Sequence, residues 1–169
     1  MKLSELFTYY GSDKASQHSY GEFYDHLAET MPINAVLEIG IHNGFSMQAW
    51  QKRFPNAIVI GIDNVIKETY PAAMKVLYCN VPDMDSAIGY FLDNNLSFDL
   101  IVDDASHHEN DQVLASHYLM EFLNPGGVYV IEDLDSDHTM KRFKESKWEV
   151  VDLRHVRKLW DDVLCWKRK

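Results

Sequence analysis

The chain has 169 residues, which suits one domain able to bury roughly 70% of its unfolded surface without disulfide or metal staples. With 46% apolar and 25% charged residues, it has the composition of an ordinary soluble globular protein. A formal net charge of −10 argues against a nucleic-acid backbone as the main partner, because phosphate binding needs clustered Lys and Arg; a small neutral or cationic ligand stays open.

Residues 1–30 read as an N-terminal cap with an amphipathic helix over Gly21–Thr30. Ala35–Ile39 is a buried strand, 40–44 a turn, and 45–54 a helix with Phe45, Ala49, Trp50 and Phe54 on one side. A second strand, 57–62, ends at Asp63, and 75–79 is a third. Residues 85–94 form a helix, and 98–102 a fourth strand ending in Asp103 and Asp104. The helix 110–123 carries Leu114, Tyr118 and Phe122 at helical spacing. Asn124-Pro125-Gly126-Gly127 is a turn, and 128–131 a fifth strand ending in Glu132 and Asp133. The tail holds two apolar runs, 148–153 and 163–168, joined by 155–162 with no helix between them. They fit an antiparallel hairpin at a sheet edge.

This alternation implies an α/β fold of Rossmann-like type, a mostly parallel sheet with helices on both faces, over the whole of 1–169. In such sheets ligands bind beyond the carboxyl ends of the strands, at the topological switch point. Glu38, Asp63, Asp103, Asp104, Glu132 and Asp133 all fall at or near predicted strand ends. Acidic residues form strands poorly and are costly to bury, so their repetition along one edge points to a site.

Glu38-Ile39-Gly40-Ile41-His42-Asn43-Gly44 has the form acidic-x-Gly-x-x-x-Gly between a strand and a helix. Glycine permits a sharp turn and close ligand approach, and the next helix points free amides at the ligand. Asp63 is placed to accept both ribose hydroxyls. A dinucleotide site would show Gly-x-Gly-x-x-Gly; here position 42 is His and position 45 is Phe, which disfavours NAD. The expected nucleotide set is Glu38, Gly40, His42 (through its backbone), Asn43, Gly44, Asp63 and Asp103.

Asp103, Asp104, Glu132 and Asp133 stand at adjacent strand ends, where three carboxylates make a hard oxygen cage suited to Mg²⁺, which can bind a substrate hydroxyl and lower its pKa. His107, three residues past Asp104, can share that site, and a neutral imidazole there would take the hydroxyl proton. Asp104 and His107 are therefore the expected catalytic pair. His108 and His138 flank the site with no assigned role.

The glycine turn resembles the first motif of class I S-adenosylmethionine-dependent methyltransferases. Gly61-Ile62-Asp63 resembles their second motif, 98–104 their fourth, and Leu123-Asn124-Pro125-Gly126-Gly127 the turn before their fifth strand. The resemblance implies the seven-stranded methyltransferase fold with S-adenosyl-L-methionine as cofactor. It also implies a polar adenine contact after the third strand, for which Asp83 is the candidate. Gly11-Ser12-Asp13-Lys14, His18-Ser19-Tyr20, Trp50, Phe54-Pro55-Asn56-Ala57, Asp104-Ala105-Ser106-His107 and Glu132-Asp133 resemble the metal-dependent sugar O-methyltransferases of the macrocin and mycinamicin type. On that resemblance Asp104, Glu132 and Asp133 would hold Mg²⁺ and His107 would be the general base. The segment 10–24 would fold over the cofactor, with Lys14 and Tyr20 among the cofactor-binding residues. The connection 134–147, where substrate-covering insertions often occur, is short, so a large antibiotic acceptor is not implied.

The expected partner is thus a small-molecule acceptor with a sugar hydroxyl, with no nucleic acid and no membrane; a homo-oligomer is left open. A catechol- or phenol-type methyltransferase and a non-catalytic cofactor-binding subunit remain alternatives. Cys79 and Cys165 stand in no disulfide or metal spacing, and Met1–Glu5 lacks a signal-peptide pattern. No run approaches ~18 apolar residues, so a cytoplasmic protein is expected.

Overall fold

A computed structural model describes residues 1–71, 74–81 and 83–169. The elements run α1 (Leu3–Tyr10), α2 (Asp13–Ser16), α3 (Gly21–Thr30), β1 (Ala35–Ile39), α4 (Phe45–Arg53), β2 (Ile58–Asp63), β3 (Lys75–Tyr78) and α5 (Asp85–Asp93). Then follow β4 (Phe98–Asp103), α6 (Glu109–Leu119), a 3-10 turn (Met120–Phe122), β5 (Leu123–Ile131), α7 (Asp137–Glu145), β6 (Glu149–Asp152), α8 (Arg154–Arg157) and β7 (Val163–Arg168).

The strands form one seven-stranded sheet in the order β3-β2-β1-β4-β5-β7-β6. β1 pairs in parallel with β2 and β4, and β2 with β3, as does β4 with β5. β7 is antiparallel to β5 and to β6, so the expected hairpin is present with β6 outermost. The chain leaves β1 outward through β2 and β3, then returns to β4 on the other side. The crevice at the carboxyl ends of β1 and β4 is therefore the switch point.

Both faces of the sheet are covered, which explains strands that read as unbroken apolar runs. Because side chains alternate along a strand, Val36, Leu100, Val102, Val128 and Val130 share one face. They pack on Phe7 of α1, Tyr24 and Leu27 of α3, and Met47 and Trp50 of α4. Leu37, Ile39, Ile101, Tyr129 and Ile131 share the other, against Phe91 of α5, Leu119 of α6 and Phe143 of α7. Among the described residues no helix is long and apolar enough to cross a membrane.

Several expectations are corrected. The buried face of α4 is Ser46, Met47, Ala49 and Trp50, and Phe45 is exposed. That of α6 is Gln112, Ala115, Ser116 and Leu119, with Tyr118 exposed. Asn124–Gly127 does not separate a helix from a strand but lies inside β5. There the register with β4 jumps from Phe98↔Leu123 to Leu100↔Val128, and Gly126 takes φ +81°. The short connection 134–147 holds α7, capped by the Ser136 side chain accepting from the Thr139 amide. The tail link contains one helical turn, α8.

Candidate functional site

Strand parity builds the site. Even-numbered positions of β1, β4 and β5 face the layer of α1, α3 and α4, so Glu38, Asp104 and Glu132 all project to that side. They meet Lys14, the buried residue of α2, whose short helix is capped by Ser12. Lys14 Nζ lies 2.6 Å from Asp104 Oδ2, 2.6 Å from Glu132 Oε2 and 3.1 Å from Glu38 Oε1, and the side chain is 1% exposed. Burial opposes the ammonium charge, but the three carboxylates outweigh it and hold its pKa well above the ordinary value. In turn burial would raise the Asp104 pKa, yet Lys14 and His107 bring it down to about 2.

The other oxygens of these acids are also engaged. Glu38 accepts from Trp50 Nε1 at 2.9 Å, and Tyr24 Oη donates to Glu132 Oε1. Burial pushes the pKa of Glu38 up, and that of Glu132 well up. Asp133, directly after Glu132, takes a left-handed backbone at φ +55°, and its carboxylate reaches the crevice. Tyr20 Oη donates to Asp133 Oδ1 at 2.6 Å, and His18, stacked on Tyr20, lies 3.3 Å from the same oxygen. Burial and the neighbouring Asp104 charge raise the Asp133 pKa to about 6.

His107, at φ +58°, places Nε2 3.2 Å from Asp104 Oδ1 and 3.5 Å from Asp133 Oδ2. The hydrogen bond to Asp104 raises its pKa to about 9. The imidazole is therefore protonated at neutral pH while both carboxylates face it. Among the described residues, Asp104, His107 and Asp133 form the cluster whose ligand atoms all lie within 4.8 Å of one another. Glu132 stands outside it, held by Lys14 and Tyr24.

Two cavities meet at these residues. One, of about 360 Å³, is lined by Gly40, Asp63, Asn80, Val81, Ser106 and Asp111 among others. The second, of about 400 Å³, is lined by Ser12, Gln17, Asn43, Ser46, His107 and Asp133 among others. Gly40, His42, Asp104 and Ala105 line both, so the cluster sits at the junction. Gly40 itself must be glycine. It has φ +78°, and a Cβ there would lie 2.2 Å from the Asp104 carbonyl oxygen.

Asp63 lines the first cavity, but its Oδ2 already accepts from the Ile41 and His42 amides, each at 3.0 Å. It thereby holds the glycine turn in shape. Lys67 Nζ donates to Asn43 Oδ1 at 2.9 Å across the same turn. Gly44 is the left-handed residue that starts α4.

Six residues expected to touch the cofactor line neither cavity, Gly44 among them. Glu38, Lys14 and Tyr20 are buried behind the crevice and act on its acids. Asp103 turns to the opposite sheet face beside Tyr129, where burial raises its pKa to about 7. Asp83 is exposed, because the Asp83 amide donates to the Asn80 carbonyl at 2.8 Å and folds the segment back; Asn80 and Val81 form the wall instead. The sequence reading also missed Tyr24, Ser106 and Asp111. Ser106 Oγ donates to Asp111 Oδ2 at 2.7 Å, a pairing of a short loop with the first turn of α6 that has no motif of its own.

No protein-family model matches the chain. The 8-demethyl-8-alpha-L-rhamnosyl tetracenomycin-C 2'-O-methyltransferase of Streptomyces olivaceus is 30% identical over 152 residues, covering 80% of this chain and 38% of the relative. The demethylmacrocin O-methyltransferase of Streptomyces fradiae is 31% identical over 144 residues, covering 78% of this chain and 36% of the relative. The chain therefore spans less than two fifths of the length of these curated relatives. Among solved structures, the MycE methyltransferase of the mycinamycin pathway, in complex with Mg, SAH and mycinamycin VI, superposes with a TM-score of 0.69 at 27% identity. That match covers 79% of this chain and 39% of the other. By sequence and by architecture, the chain is a homologue of the macrocin-, mycinamicin- and tetracenomycin-type sugar O-methyltransferases and has the class I S-adenosylmethionine-dependent methyltransferase fold.

Proposed function

We propose that this chain transfers a methyl group from S-adenosyl-L-methionine to a hydroxyl of a sugar or sugar-containing small molecule, with Mg²⁺ held at Asp104 and Asp133. The observation that carries the reading is the convergence of Asp104, His107 and Asp133 within 4.8 Å at the junction of two cavities. The first cavity, with the glycine turn and Asp63, suits the nucleoside end of the cofactor. The second suits the acceptor. Both volumes lie in the range of ordinary small-molecule sites.

The donor set fits the metal: the Asp104 and Asp133 carboxylates are hard oxygen ligands on a face open to the crevice, and the His107 imidazole stands beside them, free of the ion. Bound there, the ion would polarise the acceptor hydroxyl and lower its pKa. The sulfonium methyl is electrophilic already, so the chain must chiefly align donor and acceptor and receive one proton. His107 is placed to receive it at Nε2. The carboxylates that keep His107 protonated are the ones a divalent cation would take. Their engagement would lower its pKa toward the range of a useful base.

The test is methyl transfer to a panel of glycosides and nucleotide sugars, with Mg²⁺ or with EDTA. Methylated sugar that disappears with EDTA and returns with Mg²⁺ is the expected result. Turnover indifferent to EDTA would remove the metal, and methylation of phenols alone would remove the sugar acceptor.

A further inference from the structure

We propose that Lys14 is an internal counter-cation that shares Asp104 with the metal ion and withholds Glu132 from it, and so sets how tightly that ion is held. The proposal rests on the Mg²⁺ reading above. The Lys14 ammonium donates to Asp104 Oδ2 and Glu132 Oε2, at 2.6 Å each, and pairs with Glu38 Oε1 at 3.1 Å. An ammonium 1% exposed persists only with such partners, and Glu38 and Glu132, at 0% and 2%, have no solvent to replace it. Lys14 is thus the cation around which these acids are arranged.

The consequence lies in how the carboxylate oxygens are divided. Asp104 gives Oδ2 to Lys14 and turns Oδ1 to His107 and the crevice. Asp133 has no contact with Lys14, and its Oδ2 faces His107. These oxygens are available to an ion as they stand. Glu132 is not: Lys14 holds Oε2 and Tyr24 holds Oε1, so it can ligate only by exchanging the ammonium for the metal. An ion on Asp104 would also be a like-charged neighbour of Lys14 across one carboxylate, and repulsion at that range in a buried site is large. Lys14 therefore weakens metal binding twice, by occupying Glu132 and by its charge. In exchange it holds the acids in place when no metal is bound.

The experiment compares the whole chain with Lys14→Met, which keeps the stem and removes the charge. Mg²⁺ affinity is read by calorimetric titration, and thermal unfolding is followed with EDTA and with saturating Mg²⁺. The variant should bind Mg²⁺ at least tenfold more tightly, unfold at lower temperature in EDTA, and recover in Mg²⁺. Unchanged or weaker affinity in a folded variant would overturn the proposal and leave Lys14 a structural ion pair only.

A second measurement needs no variant. The buried Lys14 ammonium should give a resolvable 15N NMR signal in the unmodified chain, shifting along the same Mg²⁺ binding curve. If Lys14→Met fails to fold even with Mg²⁺, this signal decides: a shift supports the exchange, and a fixed signal at saturation refutes it. Absence of Mg²⁺ binding to both proteins would remove the metal reading itself, an outcome distinct from equal binding to both.

Discussion

Replacing Gly40 with alanine tests the junction directly. Gly40 sits at φ +78°, and its new Cβ would lie 2.2 Å from the Asp104 carbonyl oxygen and 2.6 Å from Ala105 Cα. Withdrawal of the backbone is resisted, because the Gly40 amide donates to the Ile62 carbonyl and the Asp104 amide to the Ile39 carbonyl, both at 2.8 Å. The left-handed conformation costs an L-residue roughly 1–2 kcal/mol, and forcing a methyl into packed backbone roughly 1–3 kcal/mol more. The sum, about 2–5 kcal/mol, corresponds to a fall in Tm of roughly 4–20 °C for a chain of this size. Because the yielding segment is Asp104–Ala105, binding of S-adenosylhomocysteine and Mg²⁺ should weaken as well. Thermal and urea unfolding, with calorimetric titration of both ligands, measure the two effects. Gly89→Ala in α5 is the control: its Cβ meets nothing within 4 Å, so helix propensity alone should stabilise by roughly 0.5–1 kcal/mol. A Gly40→Ala protein with Tm within about 2 °C of the parent and unchanged ligand affinity would refute the reasoning.

His107→Ala should lower the methyl-transfer rate roughly 10²–10⁴-fold at saturating cofactor while leaving S-adenosylhomocysteine affinity nearly unchanged; a loss under tenfold would remove it as the base. Trp50→Phe takes the indole donor from the buried Glu38 carboxylate, and should cost about 1–3 kcal/mol in urea unfolding. A cost near zero would show that Glu38 is satisfied without it. Glu109 binds Arg142, His138 and Thr139, and Arg142 foremost holds its pKa down from 4.5 to about 2. A carboxylate depressed in the folded state stabilises in full above its unfolded pKa and loses that contribution as pH falls through the folded one. The contribution is small at this partly solvated position. The Tm difference between the parent and Glu109→Gln should therefore narrow between pH 5 and pH 2; a constant difference would contradict the ion-pair origin.

The succession of strands and helices and the position of the crevice were legible because buried parallel strands and glycine turns leave strong local patterns. Ala35–Ile39 and Gly21–Thr30 match the observed elements residue for residue. Helix faces were less legible. In α4 the apolar Phe45 looks like a core residue, but the segment also presents Ser46 and Met47, and tertiary packing chose that face. The α7 helix did carry signals: Ser136 as a cap, with Met140 and Phe143 three apart. They were outweighed by charged residues around them. Asp83 was misplaced because a motif cannot report that a loop folds back on itself through the Asn80 carbonyl.

The acids are the instructive case, since their clustering at strand ends was readable and their division of labour was not. Strand parity separates them. Glu38, Asp104 and Glu132 share the face of Val36, Val102 and Val130, and so converge beneath the crevice on Lys14. Asp103 follows the parity of Ile101 and leaves for the other face. Asp133 should leave likewise, and is returned to the crevice by its φ of +55°. His42 and His107, at φ +45° and +58°, line the same cavity, so three of its lining residues stand on left-handed backbone. Such conformations cost about 1–3 kcal/mol each and persist where the surroundings impose them, so part of the stored strain lies at the junction. A sequence pattern reports which residues stand at a strand end. It does not report a backbone reversal held by Tyr20 and His18 from over a hundred residues away, and that reversal is what puts Asp133, but not Glu132, beside Asp104 and His107.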